Sequence, residues 1–148
     1  MNFLCRPDAE TLLAENDFAR LWPFLSSMGD AGAPWLTEAV KDRYRAVWRQ
    51  GLAGALNYYR ASPLRSPANG DSAVMKIRFA PEQVTVHVPT LVVWGEADTA
   101  LPPNLLDDLE RYVPQMKLVR IARATHWIVH EQPVRLSHEI EAVLAAHA

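Results

Sequence analysis

An α/β fold is the class this sequence predicts: a helical first half, then two short parallel strands with their helices. Three observations carry it. Leu91 to Trp94 is an apolar run without polar interruption, as a strand buried on both faces should be. Lys117 to Ile121 is a second, alternating run, and Pro102 to Tyr112 between them reads as a helix, so the unit is strand, helix, strand. Each strand then stops and presents a polar group, Asp98 after the first and His126 after the second. In open α/β sheets, chemistry gathers outside the carboxyl ends of the strands, where neighbouring parallel strands would bring these two residues within reach.

Taken in order, the chain begins with apolar Met1, Phe3 and Leu4 and no capping residue. Asp8 is placed to cap a short helix through Ala14, with Glu10 in its first turn. Asn16-Asp17 punctuates, and Phe18, Leu21, Trp22 and Leu25 recur at helical spacing, with Pro23 predicting a kink or two short helices. Ser26 to Pro34 is loop-like, containing Gly29, Asp30 and Gly32. Pro34 suits the first turn of a helix running to Gln50, whose stripe is Trp35, Leu36, Val40, Tyr44, Val47 and Trp48. Gly51 stops it. A further helix, Leu52 to Ala61, carries Leu52, Leu56 and Tyr59 on one face. Ser62 to Ala80, with Pro63, Pro67 and Asn69-Gly70, reads as an irregular linker. Composition turns strand-like near Phe79 to Gln83; Val84, Val86 and Val88 alternate, but Pro89 limits any ladder there. Pro133 to Ala146 is a closing helix with Leu136, Ile140, Val143 and Leu144 inward. Two strands make a marginal sheet alone, so the chain reads as part of a domain.

The 148 residues are 49% hydrophobic and 22% charged, a globular composition long enough for a sizeable core. A net charge of −2 offers no footprint for nucleic acid or anionic lipid. The single cysteine, Cys5, cannot form an internal disulfide, no apolar run reaches membrane-spanning length, and the start lacks signal-peptide character. A cytoplasmic location is the expectation.

The stretch Val88-Pro89-Thr90-Leu91-Val92-Val93-Trp94-Gly95-Glu96-Ala97-Asp98, followed by Thr125-His126-Trp127, resembles the C-terminal part of an α/β-hydrolase. Upstream, Ala55-Leu56-Asn57-Tyr58-Tyr59-Arg60 resembles the lid of the epoxide-hydrolase branch, which also contains the haloalkane and haloacetate dehalogenases. The resemblance implies a helical lid over residues 1–65, a linker at 66–83, and the last two parallel core strands with flanking helices over 84–148. It also implies chemistry. A carboxylate nucleophile opens an epoxide to give an ester, a lid tyrosine donates a hydrogen bond to the departing oxygen, and a histidine held by an acid activates the hydrolytic water. Matched residue by residue, Asp98 is the acid, His126 the base and Tyr59 the lid donor, with Tyr58 the alternative. No Gly-x-Ser-x-Gly motif occurs. The family's nucleophile and oxyanion hole lie before its lid, so the expectation is a truncated, nucleophile-less product that is inactive alone.

Each assignment has a plainer competitor. Asp98 could be a turn residue, His126 a surface or capping histidine, and Tyr59 an amphipathic core aromatic. Trp94 and Trp127 flank the acid and the base and are candidates to wall an apolar pocket. His126 and His130 stand at a spacing that chelates metals on helices, but no further ligand is evident, so neither metal nor cofactor is expected. The expected partner is a small apolar substrate, an epoxide or a related halide or ester. Exposed strand edges also make a homodimer the physical route for a non-catalytic module.

Overall fold

A computed structural model describes residues 2–29, 33–62 and 76–146. They fall into two compact units, Met1–Phe24 with Leu36–Arg78, and Leu25–Trp35 with Phe79–Ala148. Much of the predicted linker, including Pro63, Pro67 and Asn69-Gly70, lies outside the described residues, as do Asp30 and Gly32.

The first unit is helical. A 3-10 turn, Asn2–Cys5, leads into α1 (Ala9–Phe18). Asp8 does not cap it: the carboxylate is occupied by Arg6, at 2.8 and 2.6 Å. The regular helix gives out at Glu15, and Asn16 and Asp17 adopt left-handed backbone, φ 50° and 55°, as their short polar side chains permit. Next, α2 (Leu21–Ser27), whose residues from Leu25 on belong to the second unit, is a single helix, because Pro23 falls in its first turn, where no amide donor is needed. The helix expected from Pro34 starts later: α3 is Glu38–Trp48, with the Thr37 hydroxyl accepting from the Val40 amide at 3.3 Å. Of the predicted stripe, Val47 is exposed and Trp35 belongs to the second unit. Finally, α4 (Ala53–Ala61) follows Gly51, whose φ of +127° suits only glycine.

The core of this unit is Ala9, Leu13, Phe18, Leu52 and Leu56, with Trp22 and Trp48 packed on it. The two indoles meet at 4.8 Å, and the Arg45 guanidinium lies 5.0 Å over Trp22, a cation–π contact. Arg60 fastens α4 to α1 through two parallel 2.7 Å bonds to Glu10. That guanidinium pulls the Glu10 carboxyl down to about 2.

The second unit contains the sheet. β1 (Thr90–Gly95) and β2 (Met116–Ile121) pair in parallel, from Thr90 opposite Met116 to Gly95 opposite Ile121. The first strand, expected to be buried on both faces, is only half-buried up to Gly95, since among the described residues the sheet has just these two strands. The valine alternation before it forms no strand. Pro81–Val84 is a one-turn helix, α5, with Pro81 in its opening turn, and the Val86 amide bonds the Tyr112 carbonyl at 2.7 Å.

The helix expected between the strands is replaced by two 3-10 turns, Pro103–Leu106 and Leu109–Arg111. Asp107 is extended and Asp108 left-handed, φ 61°, which divides the segment. A one-turn helix, α6 (Ile128–Glu131), precedes α7 (Pro133–Ala146). On α7, Leu136 and Val143 are half-buried, but Ile140 and Leu144 are exposed. The buried position is Glu139, bonded to Lys117 on β2 at 3.0 Å and to Arg135 at 2.7 Å.

Candidate active site

The site begins with the two loops that leave the carboxyl ends of β1 and β2. Both strands end at the same level, so their loops run side by side. The Glu96 amide bonds the Ile121 carbonyl at 3.1 Å, and the Ala97 amide bonds the Ala124 carbonyl at 2.9 Å. Arg123, at φ 64°, turns the second loop back towards the first.

Gly95 makes this closeness feasible. A Cβ there would lie 2.7 Å from both the Ala124 carbonyl carbon and the Thr125 carbonyl oxygen, and closer still to the Ala124 oxygen. Only a residue without a side chain lets the His126 loop cross the end of β1.

Asp98 is almost fully buried, and its two oxygens have separate tasks. Oδ1 accepts from the Ala100 and Leu101 amides at 2.9 and 2.8 Å, closing the loop on itself as Asp does in turns. Oδ2 lies 3.0 Å from Nδ1 of His126, across 28 residues of sequence. An ionised carboxylate has only acceptors, so the shared proton sits on Nδ1. Nε2 then carries the lone pair, and it has no hydrogen-bond partner among the described residues. That is the arrangement in which a histidine can take a proton from a third molecule while the acid stabilises the imidazolium.

Trp127 stands edge-on to His126, ring centres 5.2 Å apart, and packs against Trp35 at 5.5 Å. The His130 ring stacks flat on Trp35, 4.2 Å between centres, and burial there lowers its pKa from the ordinary value. Trp94 bonds the Leu101 carbonyl through its indole N–H at 3.1 Å, which fixes it to the loop behind Asp98. Among the described residues no group of three His, Cys, Asp or Glu side chains could hold a metal ion.

The structure therefore brings together Asp98, His126 and Trp127, while Trp94 stays in β1 and touches the Asp98 loop through the Leu101 carbonyl. Tyr58 and Tyr59 lie on α4 in the first unit. Tyr58 is exposed and meets the half-buried Tyr59 edge-on at 5.5 Å; the Tyr59 carbonyl accepts from the Cys5 thiol. Sequence reasoning gave no role to Gly95, Thr125 or Glu131. Gly95 could have been found as the glycine ending the best strand. Glu131 gives no sequence signal, because its link to Thr125 depends on the turn of α6.

Known proteins repeat this architecture. The sequence model of the α/β hydrolase fold matches residues 14–133. An AB hydrolase superfamily protein of Bacillus subtilis, YfhM, is 32% identical over 126 residues, which is 84% of this chain and 39% of that protein. The epoxide hydrolase srdG of Neurospora crassa is 29% identical over 104 residues, 69% of this chain and 29% of that one. The crystal structure of an inhibitor-bound epoxide hydrolase from Bacillus megaterium superposes with a TM-score of 0.76 at 23% identity, over 97% of this chain and 50% of that chain. A variant of the Solanum tuberosum epoxide hydrolase is similar at a TM-score of 0.59 and 28% identity, covering 77% of this chain and 35% of that one. The chain thus spans half or less of the length of these relatives. Two parallel strands whose adjoining loops pair an acid with a histidine, on a sequence matched over most of its length, make this chain a member of the α/β-hydrolase fold family, in its epoxide-hydrolase-like branch.

Proposed function

We propose that this chain supplies the water-activating part of an epoxide-hydrolysing site. The observation that supports it is the 3.0 Å contact between Asp98 Oδ2 and His126 Nδ1, which leaves Nε2 open. In this reading a carboxylate nucleophile attacks an epoxide carbon and forms an ester, while the Tyr59 phenol donates a hydrogen bond to the released oxygen. Water then attacks the ester carbonyl, Nε2 of His126 takes its proton, and Asp98 stabilises the resulting imidazolium. Tyr58 is the alternative donor, and Trp94 and Trp127 wall the apolar side of the substrate. The nucleophile is not among these 148 residues, so the chain alone binds apolar ligands weakly and turns nothing over. Its single cysteine cannot form an internal disulfide, and that supports a reducing, cytoplasmic setting.

The test is diol formation from styrene oxide by the 148-residue chain alone, and by a mixture with the separately expressed nucleophile-bearing half of a related hydrolase. Diol is expected only in the mixture, falling at least about 100-fold in His126→Ala and Asp98→Asn. Equal rates in both variants overturn these roles. Chloride release from a haloacetate or haloalkane in place of diol would move the substrate to the dehalogenases.

The second reading is a non-catalytic module that pairs through strand edges. The observation favouring it is the two-stranded sheet. Sedimentation as a dimer supports it, and a stable monomer counts against it.

A further inference from the structure

His126 is held at its ring by Asp98, but its backbone is held by a different group. Glu131, at the end of α6, turns back over the loop. Its Oε2 accepts from the Thr125 amide at 2.7 Å and its Oε1 from the Thr125 hydroxyl at 2.6 Å. The same hydroxyl accepts from the Trp127 amide at 3.3 Å. Both residues flanking His126 are therefore tied, directly or through one oxygen, to a single carboxylate. Thr125 is buried, so its two donors cannot be satisfied by bulk water instead. The amides of His130 and Glu131 bond back to the Trp127 carbonyl at 2.8 and 3.0 Å, which closes the ring.

We infer that Glu131 is the positioning residue of the histidine base: its carboxylate clamps Thr125 and so fixes the ring of His126 in register with Asp98. The inference rests on the acid–histidine reading of Asp98 and His126. A carboxylate is the group this position requires, because two separate donors converge on it and each needs its own acceptor oxygen. Glutamine offers one oxygen and turns an NH2 towards a donor. Glu131 touches no reacting atom in this scheme. It acts through the backbone of Thr125, and its effect is read at the histidine.

The experiment is 15N NMR of the imidazole nitrogens in the labelled 148-residue protein, which reports the tautomer whether or not there is turnover. The native ring is expected to be mainly Nδ1–H. In Glu131→Gln the Nε2–H form should rise at least about threefold while the amide spectrum of β1 and β2 stays native-like. Thr125→Ser, which keeps the hydroxyl, should retain the native ring; Thr125→Val, which keeps only the amide link, should shift it part of the way. If Glu131→Gln does not fold, the Thr125 pair carries the test. A folded Glu131→Gln or Thr125→Val protein with the native tautomer ratio overturns the positioning role. Asp98→Asn separates the two readings: a ring indifferent to Asp98→Asn overturns the acid–histidine pair, whatever Glu131→Gln does.

Discussion

Replacing Gly95 by alanine tests whether the crossing of the two loops creates the acid–histidine contact. The new methyl carbon would start 2.7 Å from the Ala124 carbonyl carbon, whereas carbon–carbon contacts are comfortable at about 3.5 Å. The obstructing atoms are backbone, so no side chain can swing aside, and the loop has to retreat by roughly 0.8 Å. If that retreat lies along the Asp98–His126 bond, its 3.0 Å separation opens to about 3.8 Å, beyond any hydrogen bond. It also pulls at the 2.9 Å bond from the Ala97 amide to the Ala124 carbonyl. Overpacking of this kind costs about 1–3 kcal/mol. Urea unfolding followed by tryptophan fluorescence should show the loss of stability, and imidazole 15N shifts should show the loss of the Nδ1–H tautomer. A Gly95→Ala protein within about 0.3 kcal/mol of the parent, with His126 unchanged, would refute the close-crossing argument.

Three further outcomes follow from the same contacts. Glu10 titrates near 2 when folded, below its ordinary 4.5, so its bond to Arg60 stabilises the fold above 4.5 and that contribution is lost as pH falls towards 2. Glu10→Gln should flatten this part of the acid-unfolding curve, measured by circular dichroism. His130 is held below its ordinary 6.5 by burial, its largest influence, with Glu131 opposing. The unfolded chain therefore binds that proton more readily, and stability should fall as pH drops through about 6.5; His130→Phe, keeping the stack on Trp35, should reduce the difference in Tm between about pH 7.5 and 5. Lys117→Met removes one of the two cations on buried Glu139 and should lower Tm, while adding Glu139→Leu should recover much of the loss.

The strands and the acid–histidine pair were legible because they are carried by short-range patterns. The apolar run Leu91 to Trp94 is short, rich in β-branched residues and flanked by Pro89 and Gly95, which favours a strand over a buried helix, and Asp98 just past the glycine reads as a loop residue. What escaped depended on competing partners. Asp8 has the chemistry of a cap, but Arg6 two residues earlier claims both its oxygens. Pro102 to Tyr112 has helical composition, yet one left-handed residue, Asp108, suffices to split it. Val84 to Val88 alternates like a strand, but Pro81 and the Gln83 side chain, which accepts from the Ala80 amide at 2.9 Å, make a helical turn at its start. On α7 the expected apolar face is rotated, because the two cations beside Glu139 let a carboxylate occupy the buried position that Ile140 was expected to fill.

The division of labour within Asp98 has an evolutionary consequence. One oxygen shapes the loop through two amides and the other serves the histidine, so the residue answers to two separate selective pressures. A lineage that stopped hydrolysing anything would still be penalised for losing Asp98, because the loop after β1 would lose its internal bonds. His126 is under no such obligation. Its side chain forms one hydrogen bond among the described residues, to that same carboxylate. Across related chains, drift at the histidine beside a retained aspartate would therefore mark the point where chemistry ended and the fold persisted.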